Sequence, residues 1–442
     1  MKQPDPTIKR RWQRACTSLS LVLCSLLSPV AHAVDGVPTL SPTITVQTPL
    51  AAQKARAFNP QVLALFDAYQ RQLDIVRRGG WPLLGKQPTL KQGMLSAAMP
   101  TLRQRLLVSG DLADDDSADP ELFDSALSAA VSEFQRRHGL NPDGVVGPGT
   151  RRALNVTAAV RLRQLALNIA RWDALRTDFD SAFVLVNMPE YALQLFDQGD
   201  VALDMRVVIG KRSNPTPQLV QEMRKLVLNP TWFVPKKIGA RELLPKVQRD
   251  QDYLQQQNLD VFAGRTRIDP ATIDWQTLTS GGFDYRFRQR PGPGNSLGKV
   301  KFILPNSRSI YLHDTPHKAL FAREQRAFSH GCVRLEQPLE LARAVLGLQQ
   351  RWSPERAARQ LRSERTVHLQ LDEPIPVYLA YLTAKVEDGQ IMYFDDVYGH
   401  DEQPLQQSVL PSELVATLSE LRSFKRARQS ALGTQVLAAI AP

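Results

Sequence analysis

At Ala182 the hydrophobic period of the chain changes, and no other feature limits the possible fold as strongly. Before it, apolar residues recur at three- and four-residue spacing: Val62, Leu65, Phe66, Tyr69, Leu73 and Val76, then Val160, Leu162, Leu165 and Ile169. That spacing predicts amphipathic helices, the first over about 60–78, opened by Asn59-Pro60 and stopped by Gly79-Gly80. Between them, Leu102 to Asn155 forms a compact helical unit with a turn-rich loop at Asp143-Gly-Val-Val-Gly147. After Ala182 the period is two. Residues 182–187, 191–196, 201–209, 226–228, 300–304, 309–313 and 367–371 predict short strands. Helices first and strands afterwards imply a multidomain α+β protein, and 442 residues are too many for one ordinary core. Residues 236–283 interrupt the strands with a polar, helical insertion of the kind used as a lid. Helices are expected near 338–349 and 353–362, and residues 396–442 read as a polar tail with a helix over 412–424.

The N-terminus reads as an address. Lys9, Arg10, Arg11 and Arg14 precede an apolar stretch from Ala15 to Leu27, and Ala31-His32-Ala33 supplies a signal-peptidase site. The stretch is shorter than the ~20 residues that span a bilayer. A signal peptide over 1–33 and a Pro/Thr-rich linker over 34–58 imply an exported mature chain, expected in the periplasm and in association with the wall. Lipid attachment at Cys24 is disfavoured by the bulky Leu23 before it. Cleavage after Ala33 removes Cys16 and Cys24 and leaves Cys332 as the one thiol, so an internal disulfide is excluded. Such a leftover cysteine is an intermolecular link, a reactive thiol or an inert buried side chain. The net charge of +11 lies in no long Lys/Arg run, which argues against nucleic acid as a partner.

The neighbours of Cys332 favour chemistry. A thiol attacks as thiolate, and a free one is only a few per cent ionised at neutral pH, so a base must stand nearby. His330 lies two residues before Cys332, His313 ends a predicted strand nineteen before it, and Gly331 permits a tight turn that exposes sulfur and aims amides at an oxyanion. Zinc at His313 and His317 is disfavoured, because Pro316 interrupts any helix and no glutamate follows His313. The acidic run Asp111, Asp114, Asp115, Asp116 and Asp119 lacks the glycine and terminal glutamate of a calcium loop and reads as solvated. Trp232 and Trp275 divide between core and binding surface.

Tyr311-Leu-His313-Asp-Thr-Pro followed by Ser329-His-Gly-Cys-Val-Arg334 resembles the active-site signature of L,D-transpeptidases. Asn229-Pro-Thr-Trp232, Pro291-Gly-Pro-Gly-Asn-Ser-Leu-Gly298 and the insertion between them resemble the large Gram-negative type. AVSEFQRRHGLNPDGVVGPGTRRALN resembles the peptidoglycan-binding domain of cell-wall enzymes. The resemblance implies a β-rich, L,D-transpeptidase-like catalytic domain over 179–395 with its lid insertion, a helical scaffold over 59–101 and 157–178, and a small three-helix peptidoglycan-binding domain over 102–156. It implies no metal and no organic cofactor. Cys332 would be the nucleophile and His313 its base; His330, Gly331, Ser329, Tyr311, Arg334 and Trp232 would form the oxyanion and substrate-binding surroundings. The implied substrate is the peptide stem of peptidoglycan, joined by 3→3 cross-links through a cysteinyl thioester, with roles in peptidoglycan biosynthesis, cell wall organisation and cell shape. Carbapenem-type β-lactams are the implied inhibitors. Water in place of the acceptor amine would make an L,D-carboxypeptidase, a protein acceptor a wall-to-protein linking enzyme, and loss of chemistry a non-catalytic wall-binding protein. Protein partners are not legible.

Overall fold

A computed structural model describes residues 59–406, apart from 176 and 364, and residues 415–428; the expected signal peptide and linker lie outside the described residues. The chain begins its described part as α1 (Pro60–Arg77). Asn59 caps it by accepting from the Val62 amide at 2.8 Å, and Pro60 occupies the first turn, where its missing N–H costs nothing. α2 (Met99–Ser109), α3 (Ser125–Arg137) and α4 (Pro148–Leu154) make the small helical unit, whose core joins Leu102, Leu106, Leu127, Val131, Phe134 and Leu154. Leu84, Leu90 and Met99 belong to the same core, so this unit starts before residue 102. The acidic run is not simply solvated: Asp111 is buried against Arg137, and Asp115 pairs with the buried Arg103. An uncompensated guanidinium in that core would be costly, which is why these carboxylates fold inward.

α5 (Ala158–Leu175) lies against α1 in a second core built from Val62, Leu65, Phe66, Leu165, Ile169 and Trp172. The catalytic-size β domain follows with β1 (Phe183–Asn187), β2 (Ala192–Asp197), β3 (Asp200–Gly210), β4 (Leu219–Leu228), β5 (Trp232–Phe233), β6 (Leu259–Ala263), β7 (Thr266–Ile268), β8 (Tyr285–Gln289), β9 (Val300–Ile303), β10 (Leu312–His313), β11 (Ala327–Ser329), β12 (Val333–Leu335), β13 (Val367–Ala380), β14 (Ala384–Glu387) and β15 (Gln390–Tyr393). One sheet runs β11-β3-β12-β10-β9-β4-β13-β1-β2. Because β3 also pairs with β2, the strands close into a ring with β11 left outside. Closure removes exposed edges. Val184, Val186, Leu193, Met205, Val207, Leu226, Phe302, Leu312, Val333 and Val377 fill its interior together with the helix Pro338–Gly347.

β1 is buried throughout, and apolar over its first four residues, because both its faces are covered. Val184 and Val186 enter the ring, whereas Phe183 and Leu185 pack on the α1/α5 scaffold. β4 and β13 are longer than the sequence pattern suggested, pairing from Leu219–Leu379 to Leu228–Val367. The strand expected over 367–371 continues, because a register shift between Gln370 and Ile375 absorbs Asp372-Glu-Pro374.

Two expectations are corrected. The insertion is not mainly helical: short helical turns over 236–256 accompany a four-stranded sheet, β5-β8-β6-β7, around a core of Val234, Leu244, Val247, Val261, Trp275, Phe283 and Phe287. Its apolar residues are dispersed in ones and twos over short segments, so no period announced them. Trp275 is 0% exposed, with its indole N–H donating to the Pro270 carbonyl, and is core alone. The region after 396 is also more than a polar tail. Its Tyr398 packs beneath the Cys332 loop, and the helical segment 415–428 buries Leu418 and Leu421 in the scaffold core. Among the described residues no helix is long and apolar enough to cross a membrane.

Candidate active site

The site lies on the outer face of β9, β10 and β12. In this register Leu312 stands between Phe302 and Val333, all three pointing into the ring. Side chains alternate along a strand, so the next row, Lys301, His313 and Arg334, points the other way. Tyr311 and Cys332 each lie two residues earlier on that same face, and the Val333 amide donates to the Tyr311 carbonyl at 3.2 Å. Strand pairing thus gathers Cys332, His313, Tyr311 and Arg334 from segments that are distant in sequence.

The loop that presents Cys332 is held from beneath. Gly331 adopts φ 115, a left-handed conformation that favours glycine. The Ser329 hydroxyl donates to the Cys332 carbonyl at 2.5 Å and accepts from the Gly331 amide at 3.1 Å. Ser329 is therefore a brace inside the turn, 2% exposed, rather than a group facing substrate, and the Gly331 amide is engaged. The amides of His330 and Cys332 carry no hydrogen bond among the described residues, which leaves them free to donate to a bound group. Thr216 accepts from the Gly210 amide and donates to the Gly331 carbonyl, both at 2.8 Å, and the Tyr398 hydroxyl donates to the Gly210 carbonyl at 2.7 Å.

His313 is buried at the end of β10, with Nδ1 2.5 Å from the Asp314 carbonyl oxygen. A carbonyl only accepts, so this contact assigns the ring proton to Nδ1 and leaves the Nε2 lone pair free. Burial, then the positive charge of Arg334, hold this imidazole down to about 3, against the pull of the Asp314 carbonyl. It is neutral at any ordinary pH, as a general base must be. Asp314 is itself fixed, accepting from the amides of Lys299 and Thr315 and from Lys318. Gly298, at φ 57, passes so close that a Cβ there would stand 2.3 Å from the Asp314 carboxylate.

The Cys332 thiol donates to the Ser309 carbonyl at 3.6 Å; no hydrogen bond joins it to the His313 ring among the described residues. Ser309 itself has φ 56, in a turn that Asn306 ties to Leu304, Arg308 and Ile310. Burial pushes the thiol up, while Tyr311, Lys301 and Arg334 pull it down. Burial and the neighbouring Cys332 push the Tyr311 hydroxyl far above its ordinary range, so it stays a donor, beside the sulfur on one side and the Trp232 indole on the other. Trp232, half-buried on β5, thereby joins the insertion's sheet to the site. Arg334 is half-buried with its Nε unpartnered among the described residues. The His330 ring meets Glu242 of the insertion, Nε2 to Oε1 2.5 Å.

Sequence reasoning missed Lys301, Ser309, Asp314 and Glu242. Asp314 follows His313 directly and carried a local signal; the others are neighbours only through strand pairing or through the insertion's fold. Among the described residues no group of three or more His, Cys, Asp or Glu is placed to hold a metal.

Comparison with known proteins gives residues 181–370 as a match to the family described as L,D-transpeptidase catalytic domain, and residues 96–154 to that described as "Putative peptidoglycan binding domain". A protein of Haemophilus influenzae named "Putative L,D-transpeptidase" is 38% identical over 242 residues, covering 54% of this chain and 48% of its own length. The chain therefore spans about half of that relative. Among solved structures, an L,D-transpeptidase from Xylanimonas cellulosilytica is 14% identical and covers 67% of this chain and 98% of its own, at a TM-score of 0.18. An L,D-transpeptidase from Mycobacterium smegmatis is 14% identical over 45% of this chain and 58% of its own, at a TM-score of 0.21.

Proposed function

We propose, on the premise that this chain carries an L,D-transpeptidase catalytic domain and a peptidoglycan-binding domain, that it forms 3→3 cross-links between peptidoglycan stems through a thioester on Cys332. The observation that carries this reading is the row on β9, β10 and β12 that sets a neutral His313 and a half-buried Cys332 on one face. His313 Nε2 takes the proton from Cys332 Sγ, and the sulfur attacks the carbonyl carbon of the L,D bond that follows diaminopimelate in a donor tetrapeptide. The oxyanion forms against the His330 and Cys332 amides, with the Tyr311 hydroxyl as a further donor. Collapse breaks the C–N bond; D-alanine leaves with the proton from His313, and the acyl group remains on sulfur. The amine of an acceptor stem then attacks the thioester, gives its proton to His313, and the returning thiolate is reprotonated. Splitting amide exchange in this way replaces one difficult step by two easier ones.

Arg334, with an unpartnered Nε at the site, suits a substrate carboxylate. The unit around α2–α4 would retain the enzyme on wall polymer, and its site of action would be the periplasm after removal of residues 1–33. Carbapenems, which acylate through the same step, would be trapped on Cys332. The test is mass spectrometry of muropeptides incubated with the purified protein. A 3→3 dimer in the wild type and none with Cys332→Ser supports the reading; substantial dimer formation by Cys332→Ser refutes the nucleophile.

A further inference from the structure

Lys301 sits in the same row as His313 and Arg334, yet the acyl-transfer scheme assigns it no task. It is half-buried on β9 with its ammonium 3.7 Å from the centroid of the Tyr311 ring. Among the described residues no carboxylate pairs with its ammonium and no side-chain hydrogen bond holds it; its backbone alone is engaged, in the ladders with β10 and β4. Keeping a cation partly desolvated without an anion is costly. The charged and titratable groups around it are Lys225 on β4, Tyr311 and His313 at β10, Arg334 on β12 and the thiol of Cys332; only the last can become an anion under reaction conditions. The cation also lies on the face of the phenol whose hydroxyl stands beside the sulfur. A positive charge on that face draws electron density from the ring and makes the hydroxyl a stronger donor.

We infer that Lys301 is a positioning residue that acts as the fixed countercharge of the Cys332 thiolate, directly through its field and through the Tyr311 phenol that it polarises. The missing anion of the resting site is the one that the reaction creates. Deprotonation of Cys332 then relieves an unbalanced cation as well as supplying the nucleophile. Arg334 adds to the same field from β12, but it carries a fork suited to a substrate carboxylate, whereas Lys301 is held against Tyr311. This inference rests on the acyl-transfer reading for its purpose but not for its measurement.

The experiment follows iodoacetamide alkylation of Cys332 from pH 5 to 10, by mass spectrometry of the peptide that contains it, in the wild type, Lys301→Met and Lys301→Arg. An opposite charge at close range is worth about 1–3 pH units in such a profile. Lys301→Met should displace the rising limb of the profile by about one unit or more toward high pH, lowering the rate at pH 7 about tenfold, since each unit is a factor of ten in thiolate. Lys301→Arg should stay near the wild-type profile. A Lys301→Met profile that superposes on the wild type overturns the inference. So does a Lys301→Arg protein shifted as far as Lys301→Met, whatever the stability of either, because charge would then not be the cause. Failure of the wild type to exchange D-alanine in peptide stems would refute acyl transfer and leave these alkylation profiles to be judged separately.

Discussion

Replacing His313 by alanine should change the shape of the acylation profile as well as its height. An imidazole of ordinary pKa near 6.5 would be only about 3% neutral at pH 5. Held at about 3 by burial and by Arg334, His313 is about 99% neutral there. Acylation of the wild type by a chromogenic β-lactam should therefore be nearly flat between pH 5 and 7, with no inflection near 6.5. Without His313 the sulfur must ionise unaided. Burial pushes the Cys332 thiol up, so little of it is thiolate at pH 6. His313→Ala should then fall about 10²–10⁴-fold at pH 6, the range expected for a lost general base, and its rate should climb about tenfold per pH unit. Stopped-flow acylation of both proteins from pH 4.5 to 8 measures this. A wild-type rate that drops about 25-fold from pH 7 to 5 around a midpoint of 6.5, with the midpoint absent in His313→Ala, would refute the buried, neutral base. If His330→Ala alone removes the plateau, the two histidines have exchanged roles.

Other consequences are independent of that assay. Gly298→Ala puts a Cβ 2.3 Å from the Asp314 carboxylate at a left-handed φ, and should cost about 1–3 kcal/mol in thermal denaturation while slowing acylation through a displaced His313. Glu242→Gln weakens a half-exposed contact to His330, so it should change stability by less than about 1 kcal/mol yet raise hydrogen exchange over 236–249; unchanged exchange would deny the contact any hold on the insertion. His138 and His313 are both buried with pKa values below the unfolded 6.5, so their contribution is fully present above pH 6.5 and is lost as pH falls below it, for His313 down to about 3. Melting curves should show stability declining by up to about 1.4 kcal/mol per pH unit for each histidine, and His138→Phe should remove part of that slope.

What this chain's sequence determined by itself was local in origin. The helical period of α1 and α5, the cap at Asn59, the strand pattern after Ala182, and the Ser329–Arg334 turn all depend on neighbours a few residues apart, where propensity and spacing act directly. Cys332 and His313 were legible for the same reason, each standing in a short window whose residue types are chemically unusual. Residues that act across strands were not. Lys301 is a polar position in VKFI until β9 pairs with β10 and sets it opposite His313. Ser329 was expected among the oxyanion and substrate-binding surroundings, but the turn closes its hydroxyl onto Cys332 and Gly331. Trp275 and the dispersed apolar residues of the insertion formed a core only once a sheet brought them together, and β13 outran its apparent stop because β4 supplied hydrogen bonds through a bulge. The field that keeps His313 neutral likewise belongs to no segment. Coulomb interaction and desolvation depend on distance in space, and strand pairing sets those distances between groups that the chain keeps far apart.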